Sequence, residues 1–174
     1  MKWTYWLVAI FILAGIALIY VGRKTVARYK SLLGKTKDWT GRTLTRGERN
    51  NNCGNLKFSK NRKWQGRVNT RTDETFEQFV QFRYGTLAMI LLLTENINNG
   101  LTLRKIIYRY APPIENDSSR YLTTVQTRSG LALDSVLKPD KQTLKGLVLA
   151  MTFVENGRSI TDQDFNEGYA LLSK

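Results

Sequence analysis

The stretch Gly47–Gly66, GERNNNCGNLKFSKNRKWQG, restricts the fold more than any other part of the 174-residue chain. Asparagine and glycine crowd it. Both tolerate positive φ, and asparagine side chains hydrogen-bond the nearby backbone, so neither a helix nor a central strand would select this composition. The expectation is a tight polar loop followed by a hairpin-like segment ending at Trp64. On composition alone an ordinary surface loop satisfies the pattern equally well.

The sequence after this loop reads as helical. Phe76, Phe79, Val80, Leu87, Met89, Ile90, Leu91 and Leu93 predict an apolar helix from Thr75 to about Glu95, ended by Asn98-Asn99-Gly100. Its inner part, LAMILLL, is apolar on every face, which suits a buried central helix and is too short to cross a bilayer. A second amphipathic helix over 101–110 is halted by Pro112-Pro113. Asp117 can cap a helix through Thr127, and Asp140 one running to Glu155 with Leu144, Leu147, Val148, Met151 and Val154 on one face. Thr161 with Asp164 forms a capping-box pattern that opens a last helix to about Leu172. The fold class expected is mainly α, with a small β or irregular hairpin around 55–66.

The amino-terminal run at 3–21, WTYWLVAIFILAGIALIYV, carries no charge. At 1.5 Å per residue it would span roughly 28 Å, close to the hydrocarbon thickness of a bilayer. Trp3, Tyr5 and Trp6 at one end and Tyr20 at the other are placed as interfacial aromatics. A cleaved signal peptide would have a more basic start and a small-residue cleavage site, whereas Lys2 stands alone and the run ends Tyr-Val-Gly-Arg-Lys. The expected organisation is therefore a single transmembrane anchor over 1–22, a basic stalk over 23–45 and one domain over 46–174.

The formal charge of +13 is uneven: residues 22–72 hold fifteen Lys and Arg against Asp38 and Glu48, and the remainder of the domain is close to neutral. Few aromatics interrupt the stalk beyond Tyr29 and Trp39, so it reads as a solvated juxtamembrane segment before it reads as a base-stacking surface. The positive-inside rule would assign the carboxyl side of the span to the cytoplasm.

The chain contains no histidine. This excludes Ser-His-Asp triads, Cys-His peptidases and His-ligated zinc sites, and no metal or organic cofactor is expected. Cys53 is the single cysteine and reads as a small turn residue. Enzymatic chemistry is left to carboxylates, as in glycosidases, where a carboxylic acid of raised pKa protonates the glycosidic oxygen. Glu155 ends an apolar helix, where partial desolvation and the negative helix end both favour the protonated acid, and Gly157 keeps the next turn open. By itself that pattern fits a solvated helix-terminal residue better.

A resemblance changes the weighting. Arg46-Gly47-Glu48-Arg49-Asn50-Asn51-Asn52-Cys53-Gly54-Asn55, followed by Trp64-Gln65-Gly66, resembles the RG-x-RNNNPGN … WQG signature of phage and prophage cell-wall lysins. These are lysozyme-like relatives of the muralytic enzyme of enveloped double-stranded RNA bacteriophages. Phe76, Phe79, Gly85 and Ala88, then Ile106 to Asp117 with Tyr121, then Val154-Glu155-Asn156-Gly157, resemble the family's later motifs in order, over about residues 46–173. Cys53 stands where the family has proline and Tyr110 where it has tryptophan.

The resemblance implies a lysozyme-like, lytic-transglycosylase-like domain with Glu155 as catalytic acid/base and Glu115 as runner-up. Asn50, Asn51, Asn52, Trp64, Gln65 and Tyr121 would bind substrate. Because the glutamate helix comes last, a circular permutation is expected, with Glu155 near the Asn50–Asn52 loop and Tyr121 in space. No second acid is placed, which favours a transglycosylase over a two-carboxylate hydrolase. The expected function is cleavage of peptidoglycan glycan strands by a membrane-anchored, virion-associated enzyme during phage genome delivery or release. Its location would be the virion's internal membrane or the bacterial inner membrane. Expected partners are the glycan strand, the bilayer through residues 3–21, and anionic lipid, capsid proteins or packaged genome through the basic residues of 23–72. The alternative is an inactive structural membrane protein of a phage particle. A third reading, a peptidoglycan endopeptidase, is disfavoured by the missing histidine and second cysteine.

Overall fold

The structure is a computed structural model and describes residues 36–114 and 117–173. The chain divides into two compact units, Met1–Thr43 and Leu44–Lys174. The described part of the first is a small turn in which the Asp38 carboxylate accepts the backbone N–H groups of Thr40 (2.9 Å) and Arg42 (3.0 Å), while Lys37 bridges Thr43.

The second unit is built from helices α1 (Arg46–Arg49), α2 (Phe82–Asn98), α3 (Leu103–Tyr110), α4 (Ser118–Ser129), α5 (Lys141–Asn156) and α6 (Asp162–Tyr169), closed by a 3₁₀ turn, Ala170–Ser173. Local chemistry sets the starts. Thr45 and Glu48 form a capping box around α1, and Thr161 and Asp164 form one around α6. Thr102, Asp117 and Asp140 cap α3, α4 and α5 by accepting an N–H of the first turn. Gly157 ends α5 at φ 73°, a left-handed conformation that glycine adopts without penalty.

The central helix is α2. Met89, Ile90 and Leu93 are completely buried in one cluster with Ile106 and Ile107 of α3, Val125 of α4, Leu147 and Met151 of α5, and Phe165 of α6. Burying side chains of this size stabilises by about 1.5–3 kcal/mol each before conformational entropy is counted. Cys53 packs into this core, its sulfur 3.8 Å from both Thr86 Oγ1 and Met89 Sδ, and burial pushes its thiol up to about 12. At neutral pH it is an inert apolar filler.

The expected membrane-spanning helix joined to a lysozyme-like domain, permuted and carrying a small β-hairpin, gives way to this order of helices. Among the described residues no helix is long and apolar enough to cross a membrane, and residues 3–21, where the span was expected, lie outside them. Among the described residues there are also no strands, only isolated antiparallel bridges. The segment 55–66 does not fold back on itself. Its backbone pairs instead with 75–80: Phe58 N–H donates to Thr75 O and Glu77 N–H to Leu56 O, both at 2.8 Å. Further along, Val68 N–H donates to Gln78 O at 3.0 Å and Val80 N–H to Gly66 O at 2.9 Å. For the same reason α2 begins at Phe82 and not at Thr75. Phe76 and Phe79 have helical spacing, but the backbone around them is committed to long-range pairing.

Candidate active site

The asparagine-rich loop is braced by its side-chain amides together with backbone hydrogen bonds such as Asn52 N–H to Gly47 O (2.8 Å) and Phe79 N–H to Asn50 O (3.0 Å). Buried Asn52 donates from Nδ2 to Leu56 O and Glu77 O, both at 3.0 Å, and accepts Leu56 N–H at 2.9 Å. Buried Asn50 donates to Asp73 Oδ2 at 2.7 Å and accepts from Gln78 Nε2 at 3.0 Å. Asn51, at φ 51°, donates to Phe79 O at 2.9 Å. Asp73 closes the set. Its burial favours the neutral acid, but hydrogen bonds from Arg46 and Asn50 outweigh this and hold it far below the usual carboxylate range. The loop seats directly on α2 at Gly85, where a Cβ would lie 1.9 Å from Asn51 O.

The carboxyl end of α5 docks against this loop. Asn156 donates to Cys53 O at 2.7 Å and accepts from Thr45 Oγ1 at 2.7 Å, and Arg158 forms an ion pair with Glu48. These contacts fix the preceding residue, Glu155. Tyr121 of α4 donates its hydroxyl to Glu155 Oε1 at 3.0 Å, and Asn55, at φ 48°, donates Nδ2 to Oε2 at 2.9 Å. Burial raises the Glu155 carboxyl above its ordinary value, and the two donors oppose that rise without cancelling it. The negative end of the α5 dipole acts in the same direction as burial. Tyr110 stands behind the pair, its ring 6.3 Å from that of Tyr121 and its hydroxyl bonded to Gly54 O. Burial raises both phenols well above their usual value, so at neutral pH they are hydrogen-bonding groups only.

Glu155 faces a groove of about 440 Å³. One wall is the loop from Asn55 to Ser59, the other is Leu92 and Asn96 of α2 with Arg109, Tyr110 and Ala111 at the end of α3, and Trp64 stands at one side. Glu155 is the one carboxylate among the described lining residues, against Lys57, Arg62 and Arg109. Arg62 is fixed by an ion pair with Glu95 and lies 5.3 Å from the Trp64 ring centre. This arrangement can protonate a leaving oxygen and then take a proton back, and among the described lining residues there is no second carboxylate for a two-acid mechanism.

Of the residues named from sequence, Glu155 and Tyr121 are hydrogen-bonded partners and Trp64 lines the same groove. Asn50, Asn51 and Asn52 lie in the loop that Glu155 abuts, with their amides turned to Leu56 and to the 73–79 segment. Gln65 is exposed and does not line the groove. Glu115 lies outside the described residues. Sequence reasoning missed Asn55, Asn96 and Arg109. Asn55 and Arg109 had a signal, since each lies in a stretch that resembles a lysin motif; Asn96 sits inside a helical pattern that predicts only secondary structure.

Fold and site together define a helical domain with a partly buried carboxyl group at a helix end, facing an open groove that Lys57, Arg62 and Arg109 also line. The chain belongs to the family of Protein P5 of Pseudoalteromonas phage PM2, a bacteriophage protein. The two are 32% identical over 129 residues, which cover 71% of this chain and 79% of that protein. No protein-family model matches the chain.

Proposed function

We propose that this protein cleaves the glycan strand of peptidoglycan as a lytic transglycosylase with a single acid/base, Glu155. The observation that carries this reading is the Glu155 carboxyl itself. It is the one carboxylate among the described residues that line the groove, raised by burial, and oriented by donors on both oxygens. In the proposed reaction Glu155 transfers its proton to the bridging oxygen as the C1–O bond breaks and the leaving sugar departs with that proton. The ionised carboxylate, now favoured by Asn55 and Tyr121, takes the proton of the C6 hydroxyl as that oxygen bonds to C1. The product is a 1,6-anhydro end, no water is consumed, and Glu155 is restored as the acid.

The motif resemblance to phage cell-wall lysins supports the substrate class. Kinship with a bacteriophage protein supports action in a virion-associated setting, during genome delivery or release. Arg109 on the groove lining suits a strand that bears peptide carboxylates. The test is clearing of purified peptidoglycan by the full-length protein, with Glu155→Gln beside it and mass analysis of the products. Anhydro-ended fragments made by the parent and not by Glu155→Gln are expected. A folded parent that clears no wall would overturn the reading and leave that of a structural phage protein.

A further inference from the structure

We infer that the turn at Ser59–Lys63, with the outer face of α2 beside it, is a docking surface for an anionic lipid bilayer. Residues 55–72 carry six Lys and Arg and no acid. The arginines are engaged within the protein. Arg62 pairs with Glu95, Arg67 pairs with Glu77, and Arg71 donates to the carbonyls of Asp73 and Glu74. Guanidinium groups also cover the aromatic rings of this region. Arg71 and Arg67 lie 3.3 and 5.2 Å from the Phe58 ring centre, Arg62 lies 5.3 Å from that of Trp64, and Arg46 lies 4.4 Å from that of Phe76. The lysines of the turn differ. Lys60 and Lys63 are exposed and form no ion pair among the described residues.

This division of labour selects the partner. Nucleic acid is held by guanidinium forks on phosphates and by open aromatic faces for bases, and here both are already engaged. A bilayer surface asks for less geometry: mobile ammonium groups attracted to anionic headgroups, beside an indole and apolar side chains that enter the interface. The turn supplies these. Asn61 N–H donates to Ser59 Oγ and Arg62 N–H to Ser59 O, both at 3.3 Å, which sets Lys60 and Lys63 at an ordered tip. Between the tip and α2 lies an open hollow of about 640 Å³ lined by Lys63, Trp64, Leu91 and the exposed Asn98 and Asn99, among others. Leu91 is 38% exposed there, and Glu95 on the same lining is neutralised by Arg62. Trp64 borders both this hollow and the Glu155 groove, so docking would hold that groove beside the lipid surface. Neither Lys60 nor Lys63 lines the groove, and docking is therefore independent of the enzymatic reading.

The test uses the full-length protein with Asn61→Cys carrying a polarity-sensitive thiol fluorophore. Cys53 is buried and inert, so the label reports from the turn alone. Its emission is expected to shift to the blue on vesicles of phosphatidylcholine with about one-third phosphatidylglycerol, and not on phosphatidylcholine alone. A lysine beside an anionic surface is worth about fivefold in affinity, so Lys60→Gln with Lys63→Gln should raise the lipid concentration needed by about 25-fold. The same shift on both vesicles, a shift that survives loss of both lysines, or no shift at all would overturn the inference. So would a label that answers to a single-stranded oligonucleotide at physiological salt and needs both lysines to do so, which would assign the turn to nucleic acid.

Discussion

The two walls of the groove use the same side chain in opposite ways. On the loop wall, Asn50, Asn51 and Asn52 direct their amides into the protein, where they add to the few backbone bonds of an irregular segment. On the helical wall, α2 satisfies its own backbone, so Asn96 has no such duty and its amide is left to the groove. Density of polar residues thus marks where a chain must brace itself, and the helical wall needs no such bracing. The chemistry sits between the walls, on Glu155, touched by Asn55 from one side and by Tyr121 of α4 from another.

The comparison breaks most decisively if the reacting group lies elsewhere. Glu155→Gln is expected to lower wall clearing by about 10²- to 10⁴-fold, the usual worth of a general acid. Stability should move the other way. Burial raises the folded-state carboxyl above its unfolded value, so its contribution to stability is full in acid and is lost as pH rises through the raised value. The glutamine should abolish that loss, and thermal melts of parent and variant should diverge in the variant's favour with rising pH. It can accept from Asn55 and donate to the Tyr121 oxygen. A variant that stays active would move the acid to another residue.

Next comes the contrast between the amides. Asn52→Ala orphans Leu56 N–H and Glu77 O in the interior, while Leu56 O keeps Glu77 N–H, and is expected to cost about 2–4 kcal/mol in chemical denaturation. Asn96→Ala orphans nothing, and its cost should stay below about 1 kcal/mol. Equal costs would mean that the helical wall is braced as the loop is. Gly85→Ala probes the seat of the loop: a Cβ there would meet Asn51 O at 1.9 Å, and the displacement should cost about 1–3 kcal/mol.

What could be read in the sequence follows the same division. The caps at Asp117, Asp140 and Thr161 were legible because a cap and its first turn lie within a few residues of each other. The loop was legible as a loop, since asparagine and glycine announce turns. Its partners were not: Asp73, Gln78 and Phe79 lie more than twenty residues on, in a segment whose phenylalanine spacing predicted helix. The absence of histidine directed attention to carboxylates, and the lysin-like motifs directed it to Glu155, but its burial comes from α4, which no periodicity links to α5. Asn96 carried no signal at all. An asparagine near a helix end reads as a stop, and only packing shows that its amide is left without a protein partner.

The smallest effect is also the most discriminating. Tyr121→Phe removes one donor from Glu155 and leaves the ring, the Tyr110 contact and the fold in place. A single neutral hydrogen bond is worth about 0.5–1.5 kcal/mol, so activity at the optimum should fall only about two- to tenfold. The hydrogen bond favours the ionised carboxylate, so its loss must raise the Glu155 carboxyl further, and the alkaline limb of the pH–rate profile should move to higher pH. A tyrosine that merely packed would change the rate without moving the limb. A tyrosine acting as the proton donor itself would abolish activity when replaced. The direction and size of one pH shift therefore separate a residue that tunes the acid from one that fills space and from one that is the acid.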